Sequence, residues 1–369
     1  MKKLNYTLVL LFFIFMHNAV FAQGPGTAAV PFLLISPGAR AGGMGESGVA
    51  LANDATAVYW NPAGLAYQYE DPEKDSPGEV SIMHAKWLPQ FNFSDLFYDY
   101  FAARYYFEDI GMVGLSFTWL NLGENIETST DGTVLGKFNS QEYAITLSYA
   151  TKLEQNLGVG VNVKVIRSEL APDGVQVGNE STDGSATGFA VDLGVLWEPA
   201  YDIFEKRLRL GANLSNFGPA IFYNDKAQSD PIPTNLRLGL AFKLLDDEFN
   251  RITMVYDLNK PLYHKESGSD KATNFIEAAF YKSWVDGSLE KRWKQITHGV
   301  GMEYWYGNLI ALRAGYFYEA DPPYNGGRQF LTFGAGLVYD IFGFDFGYIS
   351  DDEDSPLSDT MRFSLSVKF

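Results

Sequence analysis

Cysteine is absent from the 369-residue sequence, which excludes disulfides, thiolate nucleophiles and cysteine-ligated metals. Histidine is scarce, and His84, His264 and His298 show neither metal-ligand spacing nor a serine and an acid in a nucleophilic arrangement. Positively charged residues are also few. The chain has 28 Lys and Arg but 45 Asp and Glu, which gives a formal net charge of −17. This balance disfavours nucleic acid as a partner. The sequence therefore predicts no enzyme, no metal site and no cofactor.

Long apolar runs are missing beyond the N-terminus. Residues 1–22 carry Lys2 and Lys3, an apolar stretch from Leu8 to Met16, and a small-residue cleavage site ending at Ala22. This pattern predicts a secretory signal peptide. Its apolar part is too short to cross a bilayer, and no later stretch reaches the roughly 18 to 20 apolar residues that a helical span requires. If the mature chain lies in a membrane, it must therefore form a barrel.

The chain is instead rich in segments that alternate between apolar and polar residues. The last nine residues, 361–369, alternate strictly and end on an aromatic. Because strand side chains point to opposite faces with period two, each such segment has one face for an apolar medium and one for a polar medium. We count fourteen such segments, which begin near Glu79, Phe97, Gly111, Gln141, Leu157, Thr187, Leu208, Leu236, Arg251, Thr297, Leu309, Gln329, Phe342 and Met361.

The connections between these segments alternate in length. Leu120–Ser140 and Asn259–Ile296 are long, whereas Gly307-Asn308 and Asp340-Ile341 are tight. Bacterial outer-membrane barrels have short periplasmic turns and longer extracellular loops. Counting Thr273–Trp284 as a fifteenth strand would reverse this order for every later strand. We therefore assign that stretch to one long extracellular connection, with a helical part at residues 287–295.

These patterns predict an all-β fold: a 14-stranded antiparallel transmembrane β-barrel over residues 79–369, located in the outer membrane. An aromatic content of 15% is typical of the girdles at both membrane interfaces. Charges are too costly for the lipid-facing side, so they identify the inner faces. The charges predicted to face inward are Lys164, Asp192, Arg209, Arg237, Glu303, Arg313, Asp345 and Arg362.

Residues 23–78 lack the alternation and are rich in Gly, Ala and Pro. Because glycine permits tight turns and close backbone approach, we expect a compact plug inside the barrel lumen. The alternative is a flexible periplasmic tail, which would leave the apolar run Pro31–Ile35 exposed. Residues Gly43–Gly48 match the dinucleotide pattern GxGxxG, but no alternating strands and helices follow, so no nucleotide site is predicted.

One extracellular connection is unusually apolar. Asn216–Tyr223 reads Asn-Phe-Gly-Pro-Ala-Ile-Phe-Tyr. Such a patch indicates either a contact with a protein or lipid, or a loop tucked over the barrel mouth. The residues predicted to make a partner contact are Phe217, Ile221, Phe222 and Tyr223.

Several stretches resemble a known family. They are Pro31–Gly45, Asp54–Ala63, Glu303–Tyr306, Leu312–Tyr316 and Thr360–Ser364. They are similar to outer-membrane barrels of the FadL-like superfamily, and within it to the PorV family of the type IX secretion system of Bacteroidetes. The likeness extends over essentially the whole mature chain.

The resemblance implies a non-enzymatic role in protein export. Its members associate with a giant translocon barrel (Sov or SprA), receive cargo through its C-terminal signal domain, and pass it to an attachment complex containing the PorU sortase. Within this hypothesis, Arg40, Met44, Asn61 and Pro62 are predicted to hold the plug. The alternative function is that of a FadL-type transporter for hydrophobic small molecules, and a merely structural porin is disfavoured by the long plug-like segment.

Overall fold

The computed structural model describes residues 28–91, 93, 95–129, 132–172, 175–177, 180–182, 184–199, 207–223, 228–266, 268–322, 324–353 and 355–369. The predicted signal peptide, residues 1–22, lies outside this part. Within the described part, no helix is long and apolar enough to cross a bilayer.

Strands make up most of the described chain. They are β1 (Gly78–Lys86), β2 (Phe97–Phe107), β3 (Gly111–Thr128), β4 (Val134–Glu154), β5 (Leu157–Glu169), β6 (Val175–Val177), β7 (Glu180–Thr182), β8 (Ser185–Trp197), β9 (Leu208–Phe217), β10 (Asn235–Asp246), β11 (Asn250–Pro261), β12 (Thr297–Tyr306), β13 (Ile310–Tyr318), β14 (Gln329–Tyr339), β15 (Phe342–Ser350) and β16 (Met361–Lys368).

Fourteen of these strands form one closed antiparallel barrel, and β6 and β7 form a separate small hairpin between β5 and β8. β1 pairs with β16 to close the cylinder, with Val80 opposite Val367. The predicted fold class is therefore confirmed. The hairpin of β6 and β7 was not predicted.

Helical segments are short and occupy two regions. Near the N-terminus, α1 (Ala39–Gly42) and α2 (Ala57–Trp60) are accompanied by 3-10 turns at Pro31–Leu34 and Pro62–Tyr67, and another 3-10 turn lies at Pro89–Phe91. Between β11 and β12 lie α3 (Phe275–Glu277), a π-helical turn (Ala278–Lys282), α4 (Ser283–Val285) and α5 (Leu289–Lys294). The stretch Thr273–Trp284 is thus not a strand. This agrees with the prediction that it belongs to a long connection.

Residues 120–140 were predicted to form a long connection. This prediction is wrong in one respect, because most of these residues form strands. β3 and β4 continue to pair beyond the barrel, with Ile126 opposite Lys137 and Thr128 opposite Val134. We call residues 122–128 and 134–140 the projecting hairpin. Both of its faces lie outside the membrane region, so its sequence lacks the contrast between an apolar and a polar face that marks the other strands.

The barrel has two unlike ends. Connections after β1, β3, β5, β9, β11, β13 and β15 lie at one end, which we call the loop end; the others lie at the turn end, together with Gly78 and Lys368. The turn end has connections as short as Asp340-Ile341. The outward faces of the strands are apolar and exposed, for example Val163 at 55% and Leu312 at 57%.

All eight charges predicted to face inward lie on the inner side of the wall. We call residues 28–77 the N-terminal segment. Most of this segment lies inside the cylinder and contacts these inner faces. For example, Arg209 donates a hydrogen bond to the carbonyl of Leu51, and Asn213 donates one to the carbonyl of Trp60. The barrel thus has a filled interior.

Candidate functional site: the filled lumen and the loop end

Glycines on the inner wall let the N-terminal segment approach the strands closely. A Cβ atom on Gly315 would lie 2.2 Å from the backbone nitrogen of Gly45, and one on Gly160 would lie 2.4 Å from the carbonyl carbon of Pro62. Since no side chain fits at these distances, glycine is required at both positions. The glycines interleaved with apolar residues in the strands therefore form a close-fitting contact surface for the N-terminal segment. We call this surface its seat.

An ion cluster joins the segment to the wall through Arg40. Its Nε and Nη2 atoms donate to the two carboxylate oxygens of Glu303, each at 2.8 Å, and its Nη1 atom lies 3.0 Å from Asp54. Glu303 also accepts from Arg313 at 2.8 Å, and Arg313 reaches Asp345 at 2.6 Å. Glu303 and Arg313 face each other across β12 and β13. A buried bidentate pair of this kind fixes orientation as well as position.

Two further contacts tie the middle of the segment to the wall. Arg362 of β16 donates to Glu46 at 2.6 Å. The backbone N–H groups of Gly48 and Val49 donate to one carboxylate oxygen of Asp257, at 2.7 and 2.9 Å. The stretch Gly43–Gly48, which matched the dinucleotide pattern, is therefore engaged with strands rather than open to a phosphate.

Asn61 and Pro62 lie at the next turn of the segment. The Asn61 amide donates to the carbonyls of Val49 and Val195, at 3.1 and 3.0 Å, while its oxygen accepts from the N–H of Ala63. Asn61 thereby caps the 3-10 turn that begins at Pro62. Met44 is fully buried. The structure thus places all four residues predicted to hold the plug inside the barrel.

The apolar connection between β9 and β10 is partly folded inward. Ile221 is only 2% exposed, and the Tyr223 hydroxyl donates to Ser168 at 2.9 Å. Phe217 packs against Phe275 of α3, with ring centroids 4.9 Å apart. Phe222 is 42% exposed. Of the four residues predicted to contact a partner, Phe222 is thus the most accessible, and Ile221 lies beneath the loop.

A cavity of about 100 Å³ lies inside the barrel towards the loop end. Its lining combines the aromatic residues Trp60 and Phe317 with charged groups, including Arg237 and Glu319. Arg237 stacks on Tyr59, with its guanidinium carbon 4.5 Å from the ring centroid. Burial raises the pKa of Tyr263, a loop residue that also lines the cavity, to about 12, and Glu319 adds to this shift.

Comparison with known proteins identifies the family. A family model described as "Type IX secretion system protein PorV" matches residues 21–266. Among solved structures, the Ralstonia pickettii toluene transporter TbuX aligns with 15% identity and a TM-score of 0.51, covering 90% of this chain and 98% of that chain. The Pseudomonas putida toluene transporter TodX aligns with 14% identity and a TM-score of 0.50, covering 90% of this chain and 96% of that chain. At these identities the likeness shows the fold alone.

A comparison of the sequence with curated proteins found no match. The matched family and the fold are those of a secretion or transport barrel and not of an enzyme class. They also establish the outer membrane as the location of the protein, as predicted. The chain belongs to the PorV family of the type IX secretion system.

Proposed function

We propose that this protein binds exported cargo at its loop end and passes it from the translocon barrel to a surface attachment complex. The observation that carries this proposal is the family match over residues 21–266. The partners proposed are a large Sov- or SprA-like barrel, the C-terminal signal domain of the cargo and a PorU-like complex. The protein would act by binding alone, without a catalytic step.

The filled interior supports a role at the surface. We propose that the N-terminal segment is a permanent plug, held by Arg40, Met44, Asn61 and Pro62. The Arg40–Glu303 pair, with both N···O distances at 2.8 Å, lies within a cluster of charges that would be left uncompensated if the segment moved out. When its interior is closed in this way, the barrel can contact partners through its outer surface and its loops.

Two exposed features at the loop end are the proposed contact surfaces. The projecting hairpin exposes Ile126, Val134 and Leu135 at 58%, 62% and 61%. Phe222 adds an aromatic side chain on the connection between β9 and β10. Exposed apolar side chains on an otherwise acidic protein are typical of protein contacts.

The test is native mass spectrometry of the protein after gentle solubilisation from its own membrane. The wild type is expected to carry a large barrel and exported cargo. The variants Leu135→Asp and Phe222→Asp are expected to lose at least one of these partners. Leu153→Asp is the matched control, since Leu153 is equally exposed at 63% but lies at the turn end. Recovery of neither partner with the wild type would contradict the proposal.

Transport of hydrophobic small molecules is the second candidate, and the cavity is the observation that bears on it. Pockets for such ligands are mostly apolar and usually about 300 to 1,000 Å³. The cavity here is about 100 Å³ and is partly lined by charged side chains. This geometry favours the export role. Saturable binding of toluene to the purified protein, abolished by Trp60→Asp, would instead favour transport.

A further inference from the structure

The long connection between β11 and β12 packs against the outside of the barrel. We call residues 275–294, which contain α3 to α5, the outer lobe. Lys260 projects from the outward face of β11, and its Nζ atom lies 5.3 Å from the ring centroid of Trp284 in the lobe. Lys260 is only 7% exposed. The lobe therefore covers part of the outer wall near the loop end.

A second contact fixes the position of the outer lobe along the barrel axis. The ring of Trp293 lies 6.2 Å from that of His298, which projects from the outward face of β12. His298 also contacts Tyr256 and Tyr318, at centroid distances of 6.2 and 6.0 Å. These rings belong to neighbouring strands and form an aromatic band on the outer surface. Trp293 is thus continuous with the girdle that marks the membrane interface.

The lobe also exposes large apolar side chains. Phe280, Leu289 and Trp293 are 67%, 77% and 65% exposed. Three large apolar side chains this exposed within twenty residues are more than an aqueous loop normally carries. Because the lobe sits beside the lipid-facing wall, these side chains lie beside the layer that surrounds the barrel.

Positive charge accompanies these apolar residues. α5 reads Leu-Glu-Lys-Arg-Trp-Lys, so it carries three cations and one acid within a protein of net charge −17. Lys291 pairs with Asp286 at 3.0 Å, and Lys294 pairs with Glu290 at 2.8 Å. Arg292 donates to the backbone carbonyls of Ser288 and Trp284. Exposed ion pairs are weak, so these cations remain able to bind phosphate.

We infer that the outer lobe is a lipid-binding anchor that lies in the headgroup layer of the outer leaflet. Phe280, Leu289 and Trp293 insert among the upper acyl chains, while Arg292 and the neighbouring lysines bind phosphate-bearing lipid headgroups. This is the arrangement of an interfacial amphipathic helix, with apolar and basic residues combined on one short element. The aromatic band on β11, β12 and β13 sets its depth.

A single-label experiment tests the position of the lobe, because the natural chain contains no cysteine. Leu289→Cys is labelled with an environment-sensitive fluorophore, and the protein is reconstituted into vesicles of phosphatidylcholine and phosphatidylglycerol. Val134→Cys on the projecting hairpin serves as the aqueous control, and Leu312→Cys on the outer wall serves as the lipid control. A shift in electrophoretic mobility on heating confirms that each variant is folded.

The expected result is an interfacial signature at Leu289. Lipids with a nitroxide near the headgroup should quench this label strongly, and iodide should quench it about threefold less than the label at Val134. Replacing phosphatidylglycerol with phosphatidylcholine should shift its emission to the red, and Arg292→Gln should remove that dependence. Iodide quenching equal to that at Val134 would overturn the inference and assign the surface to a water-exposed or protein-contacting role. If the emission does not change with the charge of the headgroup, the proposed binding of phosphate by the lobe is overturned.

Discussion

At the scale of single residues, Glu303 is the centre of the contact between the N-terminal segment and the wall. It accepts from Arg40 and Arg313 and is almost fully buried, with 2% of its side chain exposed. Removing one partner from a buried ion pair leaves uncompensated charge in a medium that solvates it poorly. Its energetic weight should therefore be far larger than that of an exposed pair.

We expect Glu303→Gln to lower the free energy of unfolding by about 3 kcal/mol, since both guanidinium groups lose their shared carboxylate. Urea unfolding in lipid vesicles measures this change. Glu124→Gln is the matched control, because the Glu124–Lys137 pair is at least half exposed, and we expect it to cost about 0 to 1 kcal/mol. Equal losses for the two variants would contradict the buried cluster described here.

Gly315 provides a second test at this scale. Gly315→Val would place side-chain atoms where the backbone of Gly45 lies, since even a Cβ would be 2.2 Å from its nitrogen. We expect the segment to lose its seat, so that trypsin cleaves after Arg40 in the folded barrel. Gly136→Val is the control, because its Cβ would meet only one side-chain atom, at 3.8 Å. Protection of Arg40 in both variants would rule out a tight seat at Gly315.

At the scale of elements, the barrel strands were predictable because they divide two media. Eight of the fourteen strand starts were predicted at the observed residue, including Phe97, Gly111 and Leu157. The alternation is strong there because lipid faces one side and the packed interior faces the other. The pattern also located the inner charges. It could not show which of them meet, since the Arg40–Glu303 contact spans 263 positions of sequence.

Elements without two unlike faces were harder to predict. The projecting hairpin has water on both sides, and its cross-strand pairs, such as Glu124 with Asn139, give no periodic signal. The positions of Phe217, Ile221 and Tyr223 also depend on packing between loops that are distant in sequence. The composition of the loop showed that it was apolar, but not which side chains would lie inside.

The projecting hairpin should be dispensable for folding. Replacing residues 124–139 with a two-residue turn removes only pairs beyond the barrel rim, so we expect the unfolding free energy to change by less than about 1 kcal/mol. The control deletes Val113 and Tyr149, which face each other on the outer surface of the barrel wall. That deletion inverts the faces of both strands beyond the cut and should prevent insertion. Heat-dependent mobility on gels reports both outcomes, and loss of folding in the first variant would show that the hairpin is part of the barrel core.

At the scale of the whole molecule, the protein is a lipid-embedded cylinder with a filled interior, and the proposed contact surfaces lie on its outside. The outward residues meet lipid, the N-terminal segment occupies the lumen, and the loop end carries the projecting hairpin and the outer lobe. In the proposed arrangement a partner would be recognised at the surface, and nothing would need to pass through the barrel. The proposed roles in cargo binding and in lipid anchoring both depend on that division.

Electrical recording in planar lipid bilayers tests this central claim most directly. The wild-type protein should insert without steady conductance, whereas a folded variant lacking residues 28–77 should open a continuous channel and show that the assay detects an empty barrel. A constant ohmic current through the intact wild-type protein would contradict the account.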